Sequence, residues 1–377
     1  VSCDMKKTTF LFLSVLAIAQ WANAQAPKYS NEFLSIGVGA RGLAMSKAQV
    51  ASVNDVTAAY WNPAGLVGIQ SNLQVAGQHA EYFAGIANYD YIGLATKIDS
   101  SSALGFSFIR FGVDDIPNTT DLIDQNGQVN YDRITSFSAA DYAFLVSYAK
   151  QLGIEGLSVG GNAKIIYRQI GDMAQAWGFG VDVGAQYRRG KWLFGATGRD
   201  ITSTFNTWSF NLDERTVEVF QSTGNEIPQN GLEITLPKIS LGAAREFNIK
   251  DRVGVLVELN ADITTDGRRN VLVSADPFSI DPNLGLEIDY MDIFYIRGGI
   301  GNLQRIKAEI GNYSEYTFQP NIGVGVHIKE TLSVDYALTD IGDQSVALYS
   351  NVFSLRIAIN KKSGLQEIAM AMSTRCF

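Results

Sequence analysis

The sequence predicts an all-β fold, a 14-stranded antiparallel transmembrane β-barrel with an N-terminal helical hatch. Three observations predict it. Apolar and small or polar residues alternate with period two from about residue 73 onward. Short connections between these segments take turns with longer ones. An export signal stands ahead of them, and the body of the chain is poor in charge, at 18% of residues against roughly 25% in soluble domains.

The N-terminal end comes first. Met5-Lys6-Lys7 gives a positive start, Phe10 to Ala19 is a short apolar block, and Ala22-Asn23-Ala24 is a small-residue cleavage pattern. This is a secretory signal peptide, too short for a membrane span. Residues 1–24 are therefore expected to be the signal and upstream residues, with Met5 the start and Gln25 the first mature residue. Cys3 and Cys376 lie at the two ends, so disulfides and thiolate metal sites play no expected part in the body. The last residues, 362–377, fit poorly with the pattern before them and read as a tail outside the fold. Intact mass tests that reading.

Residues 25–72 show no barrel-type alternation and are expected to form a hatch, in the lumen or at the periplasmic mouth. Gly37-x-Gly39-x-x-Gly42 has the spacing of a dinucleotide-binding fingerprint. That motif needs a strand, a helix and an acid about 20 residues on, within a βαβ unit. Phe33 to Val38 reads as a candidate strand, Leu43 to Val53 as a candidate helix, and Asp55 as the acid. No second parallel strand follows. The glycines are better read as sites of tight turning and close backbone packing. Asn54 to Trp61 reads as a short helix capped by Asn54 or Asp55. Asn62-Pro63 ends it, because a residue before proline avoids the helical region.

The barrel is expected over residues 73–361. Its clearest segment runs from Trp177 to Arg188. Trp177, Phe179, Val181, Val183, Ala185 and Tyr187 form one face; Gly178, Gly180, Asp182, Gly184, Gln186 and Arg188 form the other. Aromatics at both ends of the apolar row match the interfacial girdles of membrane barrels. Fourteen such segments begin near Leu73, Tyr89, Ala103, Asp141, Leu157, Ala176, Trp192, Lys238, Arg252, Asn283, Ile293, Phe318, Thr331 and Asn351. The long connections, Gly112 to Ala140, Ile201 to Pro237, Ile263 to Pro282 and Gly301 to Thr317, are the expected outer loops. A soluble sandwich would turn Lys, Glu and Thr outward. Here the non-apolar face is rich in glycine, which suits an interior that accepts inserted chain.

Chemistry-bearing residues are few. His79 and His327 are too few for a zinc site without carboxylates placed beside them, and a Ser–His pair would need an orienting partner. They are expected to face the lumen or a girdle. Asp124-Gln125-Asn126-Gly127 resembles part of a calcium loop but lacks its closing Glu, so it reads as an Asn-Gly turn. Lys164, Arg168, Asp182, Glu258, Asn260, Asp335 and Arg356 are expected to face the lumen, either as a polar path or as partners that hold the hatch. No catalysis, cofactor or metal is expected. A net charge of -8 argues against nucleic acid as a partner.

The stretch Gly39 to Leu66, GARGLAMSKAQVASVNDVTAAYWNPAGL, resembles the N-terminal signature of the PorV/PorQ family, which is related to the FadL-like outer-membrane proteins. The shared element is Asn62-Pro63-Ala64, with Gly65 after it. The resemblance implies a plugged 14-stranded barrel in the outer membrane of a Gram-negative bacterium. It implies partners too: outer-membrane lipid, and secreted cargo proteins or the translocon of type IX secretion, met by the loops Gly112 to Ala140 and Ile201 to Pro237. FadL-like relatives instead pass long-chain fatty acids or other hydrophobic small molecules, so a hydrophobic ligand is the alternative. The resemblance carries over no ligand-binding residue. Only Asn62, Pro63, Ala64 and Gly65 carry over, beside the hatch glycines Gly37, Gly39 and Gly42.

Overall fold

The computed structural model describes residues 30–123, 127–250, 252–307, 314–329, 331–341 and 349–360. The signal peptide, Gln25, both cysteines, the 362–377 tail and residues 124–126 of the Asn-Gly turn lie outside the described residues.

Seventeen strands form one antiparallel sheet that closes when β1 (Leu73–Tyr82) pairs with β17 (Ser350–Ile359). The strands between are β2 (Ala87–Lys97), β3 (Ser102–Asn118), β4 (Thr135–Gln151), β5 (Leu157–Ile170), β6 (Ala174–Arg189), β7 (Trp192–Arg199), β8 (Thr204–Phe210), β9 (Gly231–Thr235), β10 (Lys238–Ile249), β11 (Val253–Thr264), β12 (Val273–Ser274), β13 (Ser279–Tyr290), β14 (Phe294–Lys307), β15 (Ser314–Ile328) and β16 (Leu332–Thr339). β7 and β8 both pair with β6, and β8 with β9 while β7 pairs with β10. Each of these two couples is one stave of the wall with a break in it. With the two-residue β12 set beside β13, the wall has fourteen staves, closed and antiparallel.

All fourteen expected segments fall on these staves. Their extent differs from the expectation. β3 and β4 are 17 residues each, so nearly half of Gly112 to Ala140 is strand, and the connection between them shortens to 119–134. Alternation fades above the apolar rows, where both faces meet water, and pairing continues without it. Ile201 to Pro237 likewise holds β8, β9 and a helix, α3 (Glu214–Ser222).

Residues 30–72 enter the lumen. Two short helices, α1 (Ala40–Ala44) and α2 (Ala58–Trp61), and two 3-10 turns, Glu32–Ser35 and Pro63–Gly68, make up their regular structure. Phe33 to Val38 is therefore not a strand, and the helix expected over Leu43 to Val53 ends at Ala44. Ser46 and Lys47 both take positive φ, 51° and 70°, which stops a helix there. The Asn54 to Trp61 helix is also shorter than expected. Asp55 Oδ1 accepts from the Thr57 amide at 2.8 Å and hydroxyl at 2.6 Å, a local turn that holds the backbone out of the helix until Ala58. The buried apolar residues, Phe33, Val38, Leu43, Val53, Val56, Tyr60, Trp61 and Leu66 of this segment with Tyr89, Tyr91, Ile109, Leu145 and Ile166 of the wall, form the core.

Candidate functional site: the filled lumen and the outer loops

Three pairs of glycines receive the hatch backbone. Gly160 of β5 and Gly184 of β6 are register partners. A Cβ on Gly160 would stand 2.6 Å from the Pro63 carbonyl carbon and 2.7 Å from the Ala64 amide nitrogen, and one on Gly184 would stand 3.0 Å from Pro63 Cδ. Gly195 of β7 and Gly242 of β10 are also partners, and they face Val50 and Ala51; the Ala51 nitrogen would be 3.0 Å from a Cβ at Gly242. Gly285 of β13 and Gly299 of β14 form the third pair, against Met45, Ser46 and Ala48. A side chain at these positions would occupy space that the hatch main chain already fills. Glycine weakens a strand, and close approach of another backbone is the usual reason it is kept.

Asn62, Pro63, Ala64 and Gly65 sit on the first of these pairs. The buried Asn62 amide donates to the Val50 carbonyl at 2.8 Å and to the Ala185 carbonyl of β6 at 3.1 Å, and its oxygen accepts from the Ala64 amide at 3.2 Å. One side chain thus ties two turns of the hatch to the wall. Pro63 supplies the first position of the 3-10 turn, where a missing N–H leaves no donor unpaired. Gly37 and Gly42 flank the indole of Trp61, with a Cβ on either falling within 3 Å of the ring, and the indole N–H donates to the Val38 carbonyl at 2.9 Å. Gly39 takes φ 79°, and its amide donates to the Gln78 side chain of β1. The structure brings these seven residues together in one packed unit.

Polar side chains of the wall complete the attachment. Arg41 makes a two-pronged contact with Glu287 of β13 at 2.8 and 2.9 Å, and Glu287 is shared with Arg297 of β14 at 2.6 Å. Arg297 in turn reaches Asp335 of β16 at 2.6 Å. Asp55 pairs with Arg356 of β17. Burial opposes charge on Asp55, but the Arg356 guanidinium, the Thr57 hydroxyl and Arg41 outweigh it and hold its carboxyl below the ordinary carboxylate range. Glu258 of β11 accepts from the Ala51 amide at 2.8 Å, and Asn260 donates to the Lys47 carbonyl at 3.1 Å. Of the expected lumen charges, Glu258, Asn260 and Arg356 therefore touch the hatch directly, and Asp335 acts through Arg297.

Lys164 and Asp182 do something else. Lys164 Nζ lies 2.7 Å from Asp182 and 2.5 Å from Asp200, at the break between β7 and β8. Asp200 and Ser203 both take positive φ there. Asn31, Arg199, Pro237 and these three charges line a small cavity of about 60 Å³ at that break. Arg168 is higher on β5, paired with Asp141 at 2.7 Å and Glu233 at 3.2 Å. Below the hatch, a cavity of about 850 Å³ is lined by Arg41, Asp55, Glu287, Asp289, His327 and Arg356 among others. His327 thus faces the lumen side. His79 faces outward, 2.7 Å from Asp90. Among the described residues, no group of three His, Cys, Asp or Glu is placed to hold a metal ion.

The two long outer connections are joined. Arg215, in α3, donates to the Ile123 carbonyl at 2.8 Å and lies 3.5 Å from Asp121. Asp213 caps α3 by accepting from the Thr216 amide at 2.6 Å. Ile123, Val129 and Tyr131 are all more than half exposed on this joined surface. The glycine pairs, Glu287 with Arg297, and Arg215 were not singled out from the sequence. The lumen phase of the alternation marks the first two groups, while Arg215 carried no signal.

A family model described as type IX secretion system protein PorV matches residues 21–264. No curated relative matches the chain. Among solved structures, the CymD monoaromatic hydrocarbon channel superposes with a TM-score of 0.54 at 14% identity, covering 86% of this chain and 98% of that one. The toluene transporter TbuX of Ralstonia pickettii gives 0.52 at 14% identity, with 86% and 99% covered. TodX, the Pseudomonas putida toluene transporter, gives 0.51 at 13%, with 86% and 98% covered. At these identities the likeness establishes the FadL-like barrel fold, and with the family match it places the protein in the outer membrane of a Gram-negative bacterium.

Proposed function

Because the chain belongs to the PorV family of type IX secretion system proteins, we propose that it serves protein secretion by binding cargo or the translocon through its joined outer loops. The observation that carries this is the surface of Ile123, Val129 and Tyr131 in the 119–134 connection, tied to α3 by Arg215 above a filled lumen. Apolar side chains exposed beyond the membrane and rimmed by polar ones suit protein contact. The hatch motif Asn62 to Gly65 and the glycines Gly37, Gly39 and Gly42 then act as a seal, so that binding outside opens no leak. In this reading residues 1–24 are removed on export, 25–72 form the hatch, 73–361 the barrel, and 362–377 stay outside the fold. Co-purification from native membranes tests it. The native protein should bring down a cargo domain or translocon subunit, and Tyr131→Ala with Arg215→Ala should lose it. Recovery of neither partner by the native protein overturns the reading.

The structural neighbours named as hydrocarbon channels and toluene transporters favour a second reading, passage of hydrophobic small molecules. The cavities at the break between β7 and β8 and below the hatch are both lined by charged residues, Lys164, Asp182 and Asp200 at the first and Arg41, Asp55 and Glu287 at the second. Charged linings offer an apolar solute no gain on leaving the membrane. Mass spectrometry of the purified barrel decides: a stoichiometric bound lipophile would favour transport.

A further inference from the structure

The outward face of β1 to β3 departs from the rest of the wall. On β6 the outward row is apolar from Trp177 to Tyr187, with Phe179, Val181, Val183 and Ala185 between. Ten residues at about 3.4 Å each, tilted by about 45°, span roughly 24 Å, the height of an outer-membrane apolar band. On β1 to β3 the row is much shorter. Leu73, Thr96 and Leu104 share one register line near the strand bases. His79, Asp90 and Arg110 share another, six residues higher, or roughly 14 Å up the band.

Those three residues point away from the lumen. His79 Nδ1 lies 2.7 Å from Asp90, Asp90 lies 3.9 Å from Arg110, and Arg110 reaches Asp114 at 3.0 Å. The His79 side chain is 56% exposed and that of Asp90 38%. Glu81, two residues above His79, is exposed on the same face. The hairpin above, residues 83–86, is tipped by the exposed apolar Phe83 and Ile86, so the wall is low here. Arginine can snorkel along its stem toward water, but aspartate is too short to do so. Ionisable groups at membrane depth usually face protein or water rather than lipid.

We propose that the outward face of β1 to β3 is the docking face for a second, different membrane-embedded protein that presents Lys or Arg to Asp90 and Glu81. The patch holds three carboxylates, Glu81, Asp90 and Asp114, against the guanidinium of Arg110 and the imidazole of His79, so carboxylates are in excess and a cationic partner complements it. A second copy of this chain does not fit. A two-fold contact would set two faces of the same net negative charge against each other. The face lies on the side of the barrel, beneath the 119–134 connection into which β3 runs, and loop variants separate what the two surfaces bind.

The test is a photo-crosslinking residue at Ile92, in the middle of the face, and a control at Phe179 on β6, both in the native outer membrane of the producing cell. Ile92 should give a protein adduct of a mass other than twice the chain, and Phe179 should give lipid adducts only. Asp90→Lys should cut the Ile92 adduct at least tenfold while the barrel keeps its heat-modifiable mobility on a gel. Asp90→Asn serves if the reversal does not fold, with a several-fold loss expected. Lipid adducts alone at Ile92, a homodimer adduct, equal protein adducts at Phe179, or an adduct that survives both substitutions would overturn the proposal. Loop variants such as Arg215→Ala should leave the Ile92 adduct intact even where they abolish cargo recovery, which separates the two readings.

Discussion

Two sectors of the one wall solve the filling of the lumen in opposite ways. At β5 and β6 the wall offers space, through Gly160 and Gly184, and the hatch fills it with main chain from Pro63 and Ala64. At β1 to β3 the wall offers bulk, through Tyr89, Tyr91 and Ile109, and the hatch meets it with side chains such as Val56 and Tyr60. The outward faces differ as well: a tall apolar row on β6, and a short one topped by His79, Asp90 and Arg110 on β1 to β3. Backbone pairing closes the whole wall, but its chemistry changes from sector to sector. Its role at each position follows from what lies against it, inside and out.

The comparison is broken most forcefully at Trp61, whose ring belongs to neither sector and fills the slot made by Gly37 and Gly42. Trp61→Ala should cost about 3–5 kcal/mol, the range for emptying a buried aromatic site. Chemical denaturation in detergent micelles would measure it, and a loss below about 1 kcal/mol would show that the slot collapses without it. Next in size is an adjacent pair on β5. Gly160 faces the hatch and Gly161 faces outward, where a Cβ would meet only the Asp182 carbonyl oxygen, at 3.3 Å. Gly160→Val should destabilise by about 1–3 kcal/mol or more, as overpacking does, and raise permeability to small solutes. Gly161→Val should do neither. Equal effects from the two would remove the distinction between the faces of this strand.

The period-two pattern made the fold legible, because one face of every stave had to be apolar. It also put Lys164, Asp182, Glu258 and Arg356 inside correctly, since they occupy the lumen phase. The pairing of Gly160 with Gly184, Gly195 with Gly242, and Gly285 with Gly299 was not legible. Register between strands depends on turn geometry and closure of the ring, and nothing local in either strand records it. The hatch resisted for a different reason. Its Ser46 and Lys47 adopt left-handed conformations that wall contacts hold in place, so a helix-like run stops at Ala44. His79, Asp90 and Arg110 did carry a signal: each breaks the apolar phase of its own strand.

Asp55 gives the hatch a pH dependence that the glycine contacts lack. Its folded-state affinity for protons is depressed, so its ion pair contributes above the unfolded value near 4 and is lost as pH falls through the lower folded value. A hydrogen-bonded charged group of this kind is worth about 1.5–3 kcal/mol. Thermal unfolding should therefore shift downward between about pH 5 and pH 2, and Asp55→Asn should flatten that part of the profile. An unchanged profile in the variant would assign the acid sensitivity to other carboxylates.

The smallest expected effect on stability lies in the outer loops. Arg215 is 36% exposed and its partner Asp121 65%, a surface pair of the kind worth about 0–1 kcal/mol. Arg215→Ala should thus leave unfolding of the barrel within that range. What it removes is the donor to the Ile123 carbonyl, which links the 119–134 connection to α3. The two loops would then move independently, and limited proteolysis should cut the 119–134 connection several times faster than in the native protein. A cleavage rate that does not change would mean that backbone pairing of β3 with β4 and of β8 with β9 holds each loop in place alone. The apolar surface at Ile123, Val129 and Tyr131 would then be set by the staves beneath it, and Arg215 would serve only as a surface charge.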